Sequence, residues 1–151
     1  MMKHLLLLLL SSSVMSCLAC NKSTSGVDSN NTDLTGSKMT IKIGNSIFTA
    51  TLYDNETVTA FKSLLPITAN LIDLNRNEKY HDLPGSLPAK ASNPGTIQIG
   101  DLMLYGSSTL VLFYKTFTTS YAYTRLGRID DVKGLVAALG SGNVTVTFEL
   151  Q

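Results

Sequence analysis

Thr40-Ile41-Lys42-Ile43-Gly44-Asn45-Ser46-Ile47-Phe48-Thr49-Ala50-Thr51-Leu52 reads as two strands joined by a turn. Ile41 and Ile43 alternate with Thr40 and Lys42, then Phe48, Ala50 and Leu52 alternate with Thr49 and Thr51. Successive side chains of a strand point to opposite faces, so each run presents one apolar face and one polar face. Gly44-Asn45 is a two-residue hairpin turn of the kind that favours a positive φ. The chain closes on the same alternation, with Val144, Val146, Phe148 and Leu150 facing one way and Thr145, Thr147 and Glu149 the other.

Between these ends the pattern stays mainly β. Asp54 or Asn55 caps a short helix in which Val58, Phe61 and Leu65 recur at helical spacing until Pro66 stops it. Thr68 to Leu74 has strand composition, and Thr96 to Ile99, Leu102 to Tyr105 and Thr109 to Tyr114 read as three further strands separated by Gly100-Asp101 and Gly106-Ser107-Ser108. Tyr121 and Tyr123 alternate with Ser120, Ala122 and Thr124, and Leu126 to Ile129 reads as another short strand. Asp130 or Asp131 then caps a helix from Val132 to Leu139, which Gly140 or Gly142 ends. About eight short strands and two short helices, without a strand-helix-strand rhythm, predict a mainly β fold, a closed or nearly closed antiparallel barrel. Closure also removes the exposed edges that an exported β protein must protect.

Asn75 to Gly95 interrupts this order. It contains Arg76, Glu78, Lys79 and Asp82 and three of the chain's 4 prolines. A polar excursion of that length is read either as a functional loop or as a wrap around one barrel end.

The N-terminus predicts where the domain works. Met1-Met2-Lys3-His4 is a basic start, Leu5 to Leu10 an unbroken apolar run, and Val14-Met15-Ser16-Cys17 is followed by Leu18-Ala19-Cys20. A membrane-spanning helix needs roughly 20 apolar residues to cross a core of about 30 Å, so this run is a targeting element. Val14 and Ser16 around Cys17 resemble a bacterial lipobox, with Cys20 after Ala19 as the alternative lipidation site. The expected organisation is a lipoprotein signal over residues 1–20, a flexible linker over 21–37 and one domain over 38–151. The linker expectation rests on a run of Asn, Ser, Thr, Gly and Asp with only Val27 and Leu34 as apolar side chains. Location at the bacterial cell envelope, lipid-anchored to a membrane, follows.

Composition narrows the partners. The signal takes Lys3, one of 12 Lys and Arg, and leaves the remainder balanced against 11 Asp and Glu. No basic run survives that could track a phosphate backbone, so nucleic acid is not an expected partner. With both Cys in the signal region there is no disulfide framework, and His81 with scattered carboxylates has no metal-ligand spacing, so neither a metal nor another cofactor is expected. His81 beside Asp82 could form a base and its orienter, but neighbours on a strand face opposite ways. Asp101 and the Asp130-Asp131 pair read as turn and cap residues. The distinctive cluster is aromatic: Phe113, Tyr114, Phe117, Tyr121 and Tyr123, with Arg125 nearby. Rigid rings with polar tips suit a shallow groove for a peptide or small ligand, and Phe113, Phe117, Tyr121 and Tyr123 are the candidate binding residues.

Phe48-Thr49-Ala50-Thr51-Leu52-Tyr53-Asp54-Asn55, Glu78-Lys79-Tyr80-His81-Asp82-Leu83-Pro84, Gly100-Asp101-Leu102-Met103-Leu104-Tyr105-Gly106 and Leu126-Gly127-Arg128-Ile129 resemble the bacterial cyclophilin-like domain family. The resemblance spans about Met39 to Gln151 and implies a closed eight-stranded barrel with two helices. It is weaker to the classical cyclophilins, which are peptidyl-prolyl isomerases. Leu126 to Ile129 resembles their Phe-Gly-x-Val motif, but their active-site His falls at Tyr123, and their Gln-and-aromatic strand falls near Thr109 to Leu112. Their catalytic Arg has no motif match here, which leaves Arg76 and Arg125 as candidates by neighbourhood. The expected function is therefore an envelope-tethered binding module for a peptide, a proline-containing segment or a small ligand. The alternatives are a peptidyl-prolyl cis-trans isomerase and a non-catalytic envelope assembly or scaffold protein.

Overall fold

The computed structural model describes residue 34 and residues 36–151. Cys17, Cys20 and most of the expected linker lie outside the described residues. The opening hairpin forms as its alternation predicts. Strands β1 (Lys38–Ile43) and β2 (Ser46–Leu52) pair antiparallel with Ile43 opposite Ser46. Gly44 takes φ 56° in the turn, a conformation a side chain would resist. Met39, Ile41, Phe48, Ala50 and Leu52 are buried. Strand β1 continues onto β10 (Val144–Leu150), where Ile41 lies opposite Phe148.

The barrel then runs from β10 to β3 (Ile67–Leu74), β4 (Glu78–Asp82), β7 (Thr109–Phe113), β6 (Asp101–Tyr105) and β9 (Tyr123–Ile129), which closes on β2. Every pairing is antiparallel, and the closed sheet has eight strands, as expected. The short strands β5 (Thr96–Ile97) and β8 (Phe117–Thr118) pair with each other outside the barrel. The inward side chains, among them Phe148, Leu71, Leu104 and Leu112, form one core with the apolar faces of the two helices.

Helix α1 (Glu56–Lys62) is capped by Asn55, whose Oδ1 accepts from the Val58 backbone N–H at 2.8 Å. The Asn55 amide also donates to the Arg125 carbonyl at 3.0 Å and so ties the helix to β9. Phe61, fully buried, drives it into the barrel. Helix α2 (Leu135–Leu139) is shorter than the expected 132–139. Asp131 accepts from the Lys133 N–H in a local turn, and Gly134, at φ 82°, starts the helix without a side-chain cap. The fold also reaches back past residue 38: Leu34 packs on the core, and Gly36 and Ser37 hydrogen-bond the Leu52 backbone.

Asn75 to Gly95 is not one loop, because it contains barrel strand β4. Its inward Lys79 is fully buried, donating to Asp73 Oδ2 at 2.8 Å and to the Gly142 carbonyl. Tyr114 donates to the same carboxylate oxygen at 2.7 Å, and its ring centroid lies 5.3 Å from Lys79 Nζ. Hydrogen bonds from Lys79, then from Tyr114, hold the Asp73 carboxyl below its ordinary range. Burial, and then Asp73, pushes the Tyr114 phenol up to about 12. This network lets a polar strand enter the barrel wall, since a buried charge needs a partner and hydrogen bonds. The rest of the excursion wraps the barrel end: Leu83 and Leu87 donate to the Ser108 and Ser107 carbonyls, and Ser92 bridges Tyr123.

Candidate functional site

Strand β7 shows how the site arises. Leu110 and Leu112 enter the barrel, which sends Val111 and Phe113 to its outer face. Across the neighbouring strands Met103, Tyr123 and Tyr80 point the same way, so the barrel carries a second apolar cluster outside its core. The β5-β8 ribbon lays Ile97 and Phe117 over this cluster. Phe113 packs between Phe117, at 5.8 Å between ring centroids, and Tyr123, edge-to-face at 5.5 Å.

The ribbon covers only part of that face. Beside it lies a cleft of about 530 Å³. Tyr80, Val111 and Tyr123 supply its apolar base, and Tyr105, Phe117 and Tyr121 its aromatic walls. Tyr105 touches Tyr123 at 5.6 Å and meets Tyr121 edge-to-face at 6.2 Å, so the three tyrosines form one chain of ring contacts. The segment after β8 is held in place by its backbone. Thr119 donates to the Gly95 carbonyl at 2.9 Å, Tyr121 N–H to Thr119 Oγ1 at 3.1 Å, and Tyr123 exchanges two bonds with Ser92. A cleft with rigid aromatic walls and a few polar groups is the usual form of a small-ligand or peptide site.

Its electrostatics are one-sided. Glu78 and Asp82 line the cleft together with Asn75, Asn77, Thr109 and Thr118, and among the described residues no Lys, Arg or His lines it. Asp82 accepts from the Thr109 hydroxyl at 2.7 Å. Burial raises the Glu78 carboxyl above its ordinary value. Burial, followed by the Glu78 charge, pushes the Tyr123 phenol up to about 12. Asn77 Oδ1 is buried without a hydrogen-bond partner, the one such side-chain atom among the described residues.

The sequence profile of the cyclophilin-like family matches residues 41–149. The chain belongs to the cyclophilin-like family. No functionally curated protein matches it. Among solved structures, that of the hypothetical protein AF2241 from Archaeoglobus fulgidus is similar, with 20% identity, coverage of 77% of this chain and 95% of that one, and a TM-score of 0.50. At that identity the likeness concerns the fold alone.

In this cyclophilin-like domain the expected site residues are divided. Phe117, Tyr121 and Tyr123 line the cleft, whereas Phe113 is fully buried beneath them and supports the base. Arg76 sits exposed on the β3-β4 turn, at φ 56°, and does not line the cleft although Asn75 and Asn77 do. Arg125 lies opposite Met103 on β9, with its charge felt at Asp101, and is also absent from the lining. His81 turns away: its Nδ1 lies 3.3 Å from the Asn70 carbonyl, and Asp82 bonds Thr109 instead. Asp101, expected in a turn, is instead the buried first residue of β6, accepting from the Gln98 N–H of the preceding turn and lying 3.4 Å from Arg128 Nε. Among the described residues no three His, Cys, Asp or Glu side chains converge as metal ligands.

Sequence reasoning missed Glu78, Tyr80, Asp82 and Tyr105. The signal for the first three was present in Glu78-Lys79-Tyr80-His81-Asp82, whose alternate residues share one face once the segment is taken as a strand.

Proposed function

We propose that this domain is a binding module that takes a peptide segment or a small ligand in the cleft on its outer barrel face. The observation that carries this reading is a cleft of about 530 Å³ walled by Tyr80, Tyr105, Phe117, Tyr121 and Tyr123 on a hydrogen-bonded sheet. Rigid aromatics lose little conformational entropy on contact and supply large apolar area, which is why they dominate recognition surfaces. The isomerase reading is less favoured. Lowering a prolyl barrier of about 20 kcal/mol calls for a donor aimed at the proline amide nitrogen, and neither Arg76 nor Arg125 is among the lining residues. The fold alone does not confer that activity.

Delivery to the envelope belongs to the same proposal. Lipidation at Cys17 would anchor the chain, and the segment before Leu34 would connect anchor to domain. Incorporation of a palmitate analogue in cells, lost in Cys17→Ala, supports this; label that persists moves the site to Cys20.

The binding reading is tested by NMR on the full-length protein in neutral detergent, titrated with an Ala-Pro tetrapeptide and with a collection of small aromatic fragments. Shifts confined to Tyr80, Val111 and Tyr123 and their neighbours, lost in Tyr121→Ala, are expected. Binding elsewhere, or none at millimolar concentration, refutes it. Exchange spectra of the same tetrapeptide report isomerisation, and a rate at the uncatalysed level is expected.

A further inference from the structure

Glu78, Tyr80 and Asp82 alternate along β4 and therefore stand on one face of the strand. Two carboxylates flank a tyrosine ring, separated by about 13 Å along the strand at about 3.3 Å per residue. Tyr123, whose phenol feels the Glu78 charge, lines the same cleft, and Tyr105, in register with Thr109 and Asp82, carries it with Tyr121 toward the other end; these two rings are 47% and 62% exposed, so much of their surface is free to receive a ligand. Four of the chain's 6 tyrosines line this single cleft.

Among the described residues these two carboxylates have no counter-charge. Glu78 makes no side-chain hydrogen bond or ion pair among the described residues, and burial raises its pKa with no nearby cation to lower it. Asp82 receives only the neutral Thr109 hydroxyl. Four other carboxylates of the fold are ion-paired, Asp73 with Lys79, Asp130 with Lys38, Glu149 with Lys42 and Asp101 with Arg128. A half-buried carboxylate beside aromatic faces is disfavoured when empty, and it attracts a cation that also gains from the ring quadrupoles.

We propose that the cleft selects ligands bearing an organic cation, an ammonium or guanidinium group seated against the tyrosine rings with Glu78 as its counter-ion. This rests on the binding reading above and specifies the ligand's chemistry. The cation is carried either by a Lys or Arg side chain of a peptide or by a small free amine. Tyr80, Tyr105 and Tyr121 provide the faces, and Asp82 extends the negative potential toward the Thr109 end.

The test titrates the full-length protein in neutral detergent with acetyl-Ala-Lys-Ala-amide, its Arg counterpart, the isosteric norleucine peptide and free n-butylamine, followed by NMR shifts. The Lys and Arg peptides are expected to bind at least tenfold tighter than the norleucine peptide, to weaken with added salt, and to shift Glu78, Tyr80 and Tyr105. Glu78→Gln is expected to abolish the tenfold preference while leaving norleucine binding, and Tyr121→Leu to weaken the cationic peptides more than the neutral one. Butylamine binding equal to that of the Lys peptide assigns the small amine as the source; weaker binding assigns the peptide-borne cation. Equal binding of norleucine and Lys peptides in the cleft overturns the cation inference and leaves the binding module standing. No shift at the cleft from any probe overturns both. Melting curves confirm that each variant is folded, and a Glu78→Gln protein that is folded yet retains the preference refutes Glu78 as counter-ion.

Discussion

Phe113 separates support from contact. It is fully buried on the outer face of β7, wedged between Phe117 and Tyr123 at 5.8 and 5.5 Å, and covered by a ribbon of only two short strands. Replacing a buried Phe by Ala costs about 3–5 kcal/mol through lost transfer energy and the cavity left behind. The backbone under Phe113 is held on both sides, by Glu78 of β4 and by the Gly100 N–H, which donates to the Phe113 carbonyl at 2.8 Å, and cannot collapse, whereas the β5-β8 ribbon can settle partway. About 4 kcal/mol is therefore expected for Phe113→Ala, and at about 4 °C per kcal/mol for a domain of this size Tm falls by about 16 °C. Phe113→Leu, which keeps most of the volume, costs about 1–1.5 kcal/mol. Tyr121→Ala changes stability by less than about 0.5 kcal/mol, because that ring is 62% exposed, yet it removes a wall of the cleft. Thermal and urea unfolding measure all three. A loss below about 1 kcal/mol for Phe113→Ala, or equal losses for Phe113→Ala and Tyr121→Ala, would refute the assignment of Phe113 to support.

Further outcomes follow from other parts of the fold. A Cβ on Gly127 would lie 2.7 Å from the Thr51 carbonyl oxygen and 2.9 Å from Leu52 Cδ2, so Gly127→Ala strains the three-residue seam that closes β9 on β2. Its urea midpoint should fall by the equivalent of about 1–3 kcal/mol, while Gly85→Ala, with nothing within 4 Å of the new atom, should stay within about 0.5 kcal/mol. Asp73 has a depressed folded pKa, so its contribution is present above its ordinary value of 3.8 and is lost as the pH falls through the folded value. Melting curves from about pH 6 to about pH 2 should therefore drop less steeply for Asp73→Asn than for the native chain, with a residual acid loss from Asp130, also held low overall because hydrogen bonds from Lys38 and Thr51 outweigh its burial. Glu78 has the opposite sign. Its raised folded pKa means that stability is lost as the pH climbs above its ordinary 4.5, so Glu78→Gln should be the more stable protein at neutral pH; a destabilised variant would contradict the desolvation of that carboxylate.

The parts of the fold that were legible in the sequence are those where burial follows a regular period. The opening hairpin, β6, β7 and β10 each bury one face or both, so alternation or a continuous apolar run announces them. Strand β4 was not legible, because its outward residues line the cleft and its inward Lys79 is neutralised by Asp73 and Tyr114 instead of being apolar. The same physics hid half the site. Phe117, Tyr121 and Tyr123 stood out as a local concentration of rings, while Tyr80 and Tyr105 lie on strands far from them in sequence and join them only through the β4-β7-β6-β9 order. Helix α2 was overextended because Asp131 spends its carboxylate on a local turn instead of a cap.

What the sequence determined by itself is the class of structure, a closed barrel of short antiparallel strands, since periodicity, turn residues and caps are local properties that each segment carries alone. It also carried a local concentration of aromatic rings from Phe113 to Tyr123. Tertiary structure decided which rings share a cleft, that Phe113 lies beneath it, that Arg76 and Arg125 stay out of its lining, and that Glu78 stands there without a counter-charge among the described residues. Those facts depend on strand order and on the covering ribbon, and both arise from pairings between residues far apart in the chain, which no local pattern encodes.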